Sequence, residues 1–168
     1  MNLIISTSLN PKSRNWILTK HALKVFNEKG IAAEIIDLKD FDLPFCDGDT
    51  CYDATSVKEL KEKITNSKSI IVASPIYNYD VNAVAKNLLE LTGNAWTEKV
   101  VGFMCCAGGN GSYMSIMPFA NSLMLDFRCQ IIPRYVYTTG AAFEGCDVVD
   151  TIILERIEQL VDSILAAA

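Results

Sequence analysis

The hydrophobic pattern of this chain switches period again and again: short apolar runs alternate with longer stretches in which apolar residues recur at helical spacing. That alternation is the signature of βαβ units wound around a parallel sheet. Residues 69–73, SIIVA, are apolar after the first position, as a strand buried on both faces requires. Residues 3–5, 33–38, 100–106 and 131–137 supply four more strands. Residues 17–26, 57–64, 81–91, 115–127 and 150–165 supply the helices, the first of them ended by Gly30. Pro118 is tolerable because it falls in a first helical turn, and Pro133 places the last strand at a sheet edge, where a missing N–H donor does no harm. Right-handed crossovers then give a three-layer sandwich, a five-stranded parallel sheet of order 2-1-3-4-5 with helices on both faces. A chain of 168 residues suits one such domain, residues 1–168.

Composition narrows the function. Half of the residues are hydrophobic and 21% are charged, outside the range of disordered chains. The net charge of -5 offers no basic stripe for nucleic acid. No signal peptide and no run long enough for a membrane span can be read, so the expected location is the cytoplasm. Six cysteines then read as free thiols. Cys105 and Cys106 fall in an apolar run and are expected in the core. Cys46 and Cys51 flank a polar DGDT loop, but two thiolates do not fill a metal's coordination shell, so no metal is expected. His21, the sole histidine, sits inside the first helix and is not expected to be catalytic.

In a doubly wound sheet the ligand lies beyond the carboxyl ends of the strands, at the loops after the first, third and fourth strands. The first, STSLNPKSRNW, gathers hydroxyls and an arginine ahead of a helix N-terminus, a phosphate-binding composition: Ser6, Thr7, Ser8 and Ser13 can donate and Arg14 can pair with an anion. It lacks the glycines expected for ATP or an NAD pyrophosphate. The same composition also suits an ordinary capped helix, with Asn10 or Ser13 as the cap and Arg14 solvated. The second loop, SPIYNYDVNAVAKN, brings Pro75, Tyr77 and Tyr79 to the crevice, with N–H groups of Ile76 to Asn78 near the polar edge of a planar ring; a tyrosine-rich turn packed on its own helix is the alternative. The third, AGGNGS, has glycines that permit close backbone approach.

Together these segments resemble the NADPH-dependent FMN reductase family of the flavodoxin-like superfamily, over nearly the whole chain. Ser74 to Tyr79, followed by Ala83, Lys86 and Asn87, are similar to the family's S-P-x-Y-N-x-S-x-P-x-x-L-K-N segment, with Asp80 and Asn82 in place of the usual serine and proline. The first loop is similar to G-S-x-R-x-x-S-x-x, with Thr7 for glycine and Asn10 for the frequent arginine, departures expected to weaken phosphate affinity or to shift it onto Arg14. The resemblance implies FMN as cofactor and NAD(P)H as co-substrate. The implied cofactor-binding residues are Ser6, Ser8, Asn10, Ser13, Arg14, Asn15 and Trp16 in the first loop, Pro75, Ile76, Tyr77, Asn78 and Tyr79 in the second, and Ala107, Gly108, Gly109, Asn110 and Gly111 in the third. The flavin would carry the chemistry without a catalytic side chain, passing electrons to a small acceptor such as a flavin, quinone or azo compound. Two rivals remain: a flavodoxin-type carrier with no nicotinamide reaction, and a domain that keeps the fold without FMN. The Cys46 segment is also faintly similar to iron–sulfur flavoproteins, but the compact run of four cysteines is absent. A homodimer or homotetramer is expected, and Trp96, Tyr113, Phe119 and Phe143 are candidates either for covering a neighbour's ring or for ordinary packing.

Overall fold

The computed structural model describes all 168 residues. At its centre is β1 (Asn2–Ser6), buried along its length, paired in parallel with β2 (Ala33–Asp37) on one side and β3 (Ser69–Tyr77) on the other. Next to β3 lies β5 (Val100–Ala107), also parallel. The fifth position is shared by two pieces: β6 (Gln130–Ile131) pairs with the start of β5 and β7 (Val136–Thr139) with its end. The expected order is therefore present. The sheet counts seven strands because the fifth is interrupted around Pro133, which cannot donate to a ladder, and because β4 (Asp80–Val81) folds back antiparallel on β3.

The helices are α1 (Arg14–Glu28), α2 (Thr55–Thr65), α3 (Ala83–Thr92), α4 (Met117–Phe127) and α5 (Thr151–Ala167). Strand pleat decides which core each sheet residue joins. Leu3, Ile5, Ile70, Val72, Val101 and Phe103 face the cluster formed with Leu60 and Ile64 of α2, Leu88 of α3 and Leu123 of α4. Ile4, Ile71, Ala73 and Met104 face the other way, against Leu18 and Phe26 of α1 and Ile157, Leu160 and Ile164 of α5. A short hairpin, β8 (Phe143–Glu144) with β9 (Asp147–Val148), leads into α5, whose N-cap Asp150 accepts from the N–H groups of Ile152 and Ile153. No helix is long and apolar enough to cross a membrane.

Gly102 shows how closely α5 lies on the sheet: a Cβ there would fall 2.8 Å from Leu160 Cδ1 and 2.9 Å from Ile164 Cδ1. Gly102→Val therefore overpacks this interface and is expected to cost about 1–3 kcal/mol. Chemical denaturation checks this, with the midpoint falling.

Two aromatic residues with an interface alternative are core residues. Trp96 has no exposed surface, and its Nε1 donates to Thr92 Oγ1 at 2.7 Å. Phe119 is 2% exposed and meets Phe103 edge-on. Both belong to the core on the α2–α3–α4 side of the sheet, so no surface remains to cover a neighbour. Cys105 is also a core residue, and burial pushes its thiol well above the usual range.

Candidate functional site

The first loop folds upon itself before α1 begins. The Asn10 N–H donates to Ser8 Oγ (3.3 Å), the Lys12 N–H to Asn10 Oδ1 (2.9 Å) and the Ser13 N–H to the Asn10 carbonyl (3.0 Å). Ser13 is the N-cap, accepting from the Asn15 N–H at 3.2 Å. Asn10 thus forms an Asx turn one step earlier, and the two cap candidates have different tasks. The remaining N–H groups at the start of α1 face outward with the positive end of the helix dipole.

Arg14 is solvent-exposed and belongs to none of the protein's ion pairs, and the same holds for Lys12. The Arg14 side chain is nevertheless guided. Its guanidinium lies against Gly140, where a Cβ would stand 3.1 Å from Cζ, and 6.0 Å from the centre of the Phe143 ring. Gly140 is a site residue that sequence reading missed, because it is 126 positions from Arg14 and only the return of β7 to the crevice brings them together.

The second loop is a β-hairpin. Tyr77 faces Asp80 and Ile76 faces Val81, leaving Asn78 and Tyr79 as a two-residue connection with φ of 51° and 63°. Left-handed conformation at both central positions is the geometry of a type I′ turn, which asparagine tolerates and tyrosine resists. Backbone strain of this kind gathers at functional sites. The hairpin leaves Tyr77 54% and Tyr79 72% exposed, so neither packs on its own helix.

Two tyrosines of the β7 segment hold down the third loop. Tyr137 donates its hydroxyl to the Gly109 carbonyl and so accepts from Ser112 Oγ at 2.8 Å, while Tyr135 donates to the Tyr113 carbonyl and stacks on the Tyr113 ring with centroids 4.9 Å apart. Burial and the Tyr113 contact push the Tyr135 hydroxyl far above its ordinary value, so it remains a donor. These anchors also went unread in the sequence, where residues 131–137 carried only a strand pattern.

The three loops converge. A cavity of about 610 Å³ is lined by Ser8, Asn10, Lys12, Ser13, Arg14 and Asn15 from the first, Pro75, Ile76, Tyr77 and Asn78 from the second, and Cys106, Ala107 and Gly108 from the end of β5. That volume lies within the range of cofactor sites. A shallower recess of about 280 Å³ continues it past Tyr79, Gly109, Gly111 and Ser112. Ser6, Trp16 and Asn110 line neither space. Ser6 is fully buried at the end of β1, Trp16 sits half-buried beside Lys39, and Asn110 is exposed in a 3₁₀ turn. Cys106 reaches the cavity while burial raises its thiol to about 11, so it enters as a neutral group.

The lining fits a phosphorylated, hydroxylated, planar ligand. Two cations free of carboxylate partners stand beside a helix N-terminus, as an anion requires. Asn15 is 2% exposed, yet its Oδ1 lacks a partner; a buried acceptor calls for a hydroxyl donor. His21 lies outside the cavity, its Nε2 3.5 Å from the Val148 N–H, and burial lowers its pKa.

The loop between β2 and α2 is closed by Asp47, which accepts from the N–H groups of Asp49 and Cys51 and from Thr50 Oγ1. The neighbouring Cys51 thiol, together with these bonds, holds its carboxyl far below the usual carboxylate range. Cys51 is buried, and Cys46 Sγ lies 3.6 Å from the Tyr52 hydroxyl. Asn87 fastens the loop to α3, donating to the Pro44 carbonyl and accepting from the Cys46 N–H, each at 2.9 Å.

A parallel sheet of this order, with a phosphate-suited turn and a ring-suited hairpin beyond its carboxyl ends, defines a flavodoxin-like domain. The model of the NADPH-dependent FMN reductase family matches residues 2–144, and the chain belongs to that family. It is an FMN-dependent NAD(P)H oxidoreductase, with FMN as cofactor and NAD(P)H as co-substrate. An NAD(P)H-dependent FAD/FMN reductase from Geobacillus thermodenitrificans is 29% identical over 131 residues, covering 76% of this chain and 70% of the relative. An NADPH:quinone oxidoreductase from Arabidopsis thaliana is 27% identical over 175 residues, covering 96% and 88%. Among solved structures, the NAD(P)H:(acceptor) oxidoreductase FerB from Paracoccus denitrificans superposes with a TM-score of 0.79 at 22% identity, covering 99% of this chain and 97% of that one. An archaeal flavodoxin also superposes, at 0.66 and 13% identity, a likeness of fold alone. The family, and not the shared fold, separates this chain from the electron carriers.

Proposed function

We propose that the 610 Å³ cavity is the FMN site and that it serves the reduction of a small-molecule acceptor, a quinone or free flavin before an azo compound. The observation that carries this is the meeting of unpaired Arg14 and Lys12, the capped start of α1 and the partnerless Asn15 oxygen in one crevice with Tyr77 and Asn78. Ser8, Ser13 and Arg14 would hold the phosphate, Asn15 the hydroxylated chain, and residues 75–78 with Ala107 and Gly108 the ring. Tyr79, Gly109 and Gly111 would flank its outer edge. The names of the Arabidopsis relative and of the Geobacillus relative support quinone and flavin acceptors.

When bound, FMN supplies the centre that takes a hydride from reduced nicotinamide and returns electrons to the acceptor. The chain's own part is to bind, orient and shield. The guanidinium resting on Gly140 meets the anion from a fixed direction, so little side-chain freedom is lost on binding. Tyr137 and Tyr135 hold the glycine turn open against collapse. Exposed Tyr77 and Tyr79 offer apolar faces against which a planar acceptor can lie. No side chain has to move a proton.

We further read the protein as a single domain working as a cytoplasmic homodimer or homotetramer. All six cysteines are free, and Phe45 (85% exposed) and Leu125 (82%) leave apolar surface for a second subunit. The deciding experiment is an absorption spectrum of the purified protein, repeated after FMN and then NADPH under argon. A flavin band that shifts on binding, bleaches with NADPH and returns with a quinone is expected. Protein that leaves the FMN spectrum unaltered would refute the site.

A further inference from the structure

Two residues that depart from the family pattern in sequence meet in space. Thr7 replaces the usual glycine of the first loop and Asn82 the usual proline of the middle motif. The Thr7 hydroxyl donates to Asn82 Oδ1 at 2.7 Å, and Asn82 Nδ2 donates back to the Thr7 carbonyl, also at 2.7 Å. Ser74 donates to the same Oδ1 at 3.1 Å. Thr7 and Ser74 are fully buried and Asn82 nearly so. Glycine has no hydroxyl and proline no amide side chain, so the usual pair cannot form this network. The Thr7 hydroxyl is therefore turned into this network, and Thr7 does not line the cavity.

The network sits at the root of the crevice. Thr7 immediately precedes Ser8 and Ser74 immediately precedes Pro75, both cavity-lining residues, and Asn82 is the residue from which α3 starts. Here the strand ladder ends: the last β1–β3 pair is Ser6 with Ala73, followed by one backbone bond from the Thr7 N–H to the Ala73 carbonyl at 3.0 Å, with the Thr7 hydroxyl 3.3 Å from the same oxygen. Beyond that point the spacing of the two loops depends on side chains.

We propose that Asn82 is a positioning residue for the FMN site, setting through Thr7 and Ser74 the spacing between the phosphate-holding loop and the ring-holding hairpin. This rests on the reading of the crevice as the FMN site. A buried polar network is rigid while every member is satisfied, and removing one member orphans the others. A ligand that touches both loops feels their spacing; one that touches a single loop does not.

The test compares FMN with lumiflavin, which keeps the ring but lacks both the hydroxylated chain and the phosphate, by fluorescence titration of the apoprotein. Thr7→Val, which keeps the shape and deletes the hydroxyl, is expected to weaken FMN binding roughly tenfold while lumiflavin affinity changes less than about twofold, and Thr7→Ser is expected to restore it. Asn82→Ala should reproduce the loss, and adding Thr7→Val to it should cost little more, because both act through one network. The proposal is overturned by unchanged FMN affinity in Thr7→Val, or by FMN and lumiflavin affinities falling together with the apoprotein melting temperature, which marks general destabilisation. Wild-type protein that binds neither flavin would overturn the FMN reading itself, and the inference with it.

Discussion

Replacing Arg14 by alanine is expected to weaken FMN binding by about 1.5–3 kcal/mol, roughly ten- to a hundredfold, with the apoprotein melting as before. The asymmetry follows from the absence of a carboxylate partner. A cation that stabilises no ion pair in the free protein leaves little behind when removed, and everything it contributes appears when an anion arrives. Arg14→Lys should recover only part of the loss, since an ammonium carries the charge without the flat fork that rests on Gly140. Titration of flavin fluorescence at two salt concentrations checks this, with the wild-type affinity more salt-sensitive than that of the alanine variant. Equal affinities would mean that the phosphate is held by Lys12, backbone and hydroxyls without Arg14.

Trp96→Ala should instead strike the fold, at about 3–5 kcal/mol. The indole is wholly enclosed between the end of α3 and the start of β5. Its loss leaves a large void, removes the donor that Thr92 Oγ1 accepts from and loosens the segment whose Trp96 carbonyl accepts from Cys129 Sγ at 3.0 Å. For a domain of this size that corresponds to a melting point lower by roughly 6–20 °C. Trp96 precedes β5, at the end of the sheet opposite the crevice, so variant protein that is still folded should bind FMN with near wild-type affinity. A variant that melts normally but dissociates into monomers would place the indole at an interface, against its burial.

The contrast shows what a sequence can carry. The alternation of periods was enough for strand order and layers, because burial on both faces of β1, β3 and β5 is written locally as unbroken apolar runs. The first loop's hydroxyls and arginine were legible for the same reason: a helix N-terminus states its chemistry within a few residues. Tyr135, Tyr137 and Gly140 were not, because their roles arise from β7 returning beside β5, over twenty residues away from the glycine turn or further. Trp96 and Phe119 could be read as core or interface with equal justice, since spacing gives a helix face but not what covers it. Thr7 and Asn82 were legible only as separate departures from the family pattern, and each makes sense only beside the other.

The interruption at Pro133 has a bearing on how copies of the protein can associate. An outermost strand normally exposes a regular row of amide donors and carbonyl acceptors on which another chain can zip. Here the row is cut into segments of two and four residues, with an exposed proline and the charged Arg134 between them. Growth of the sheet from one molecule into the next is therefore disfavoured on that flank, which guards against open-ended fibrils there.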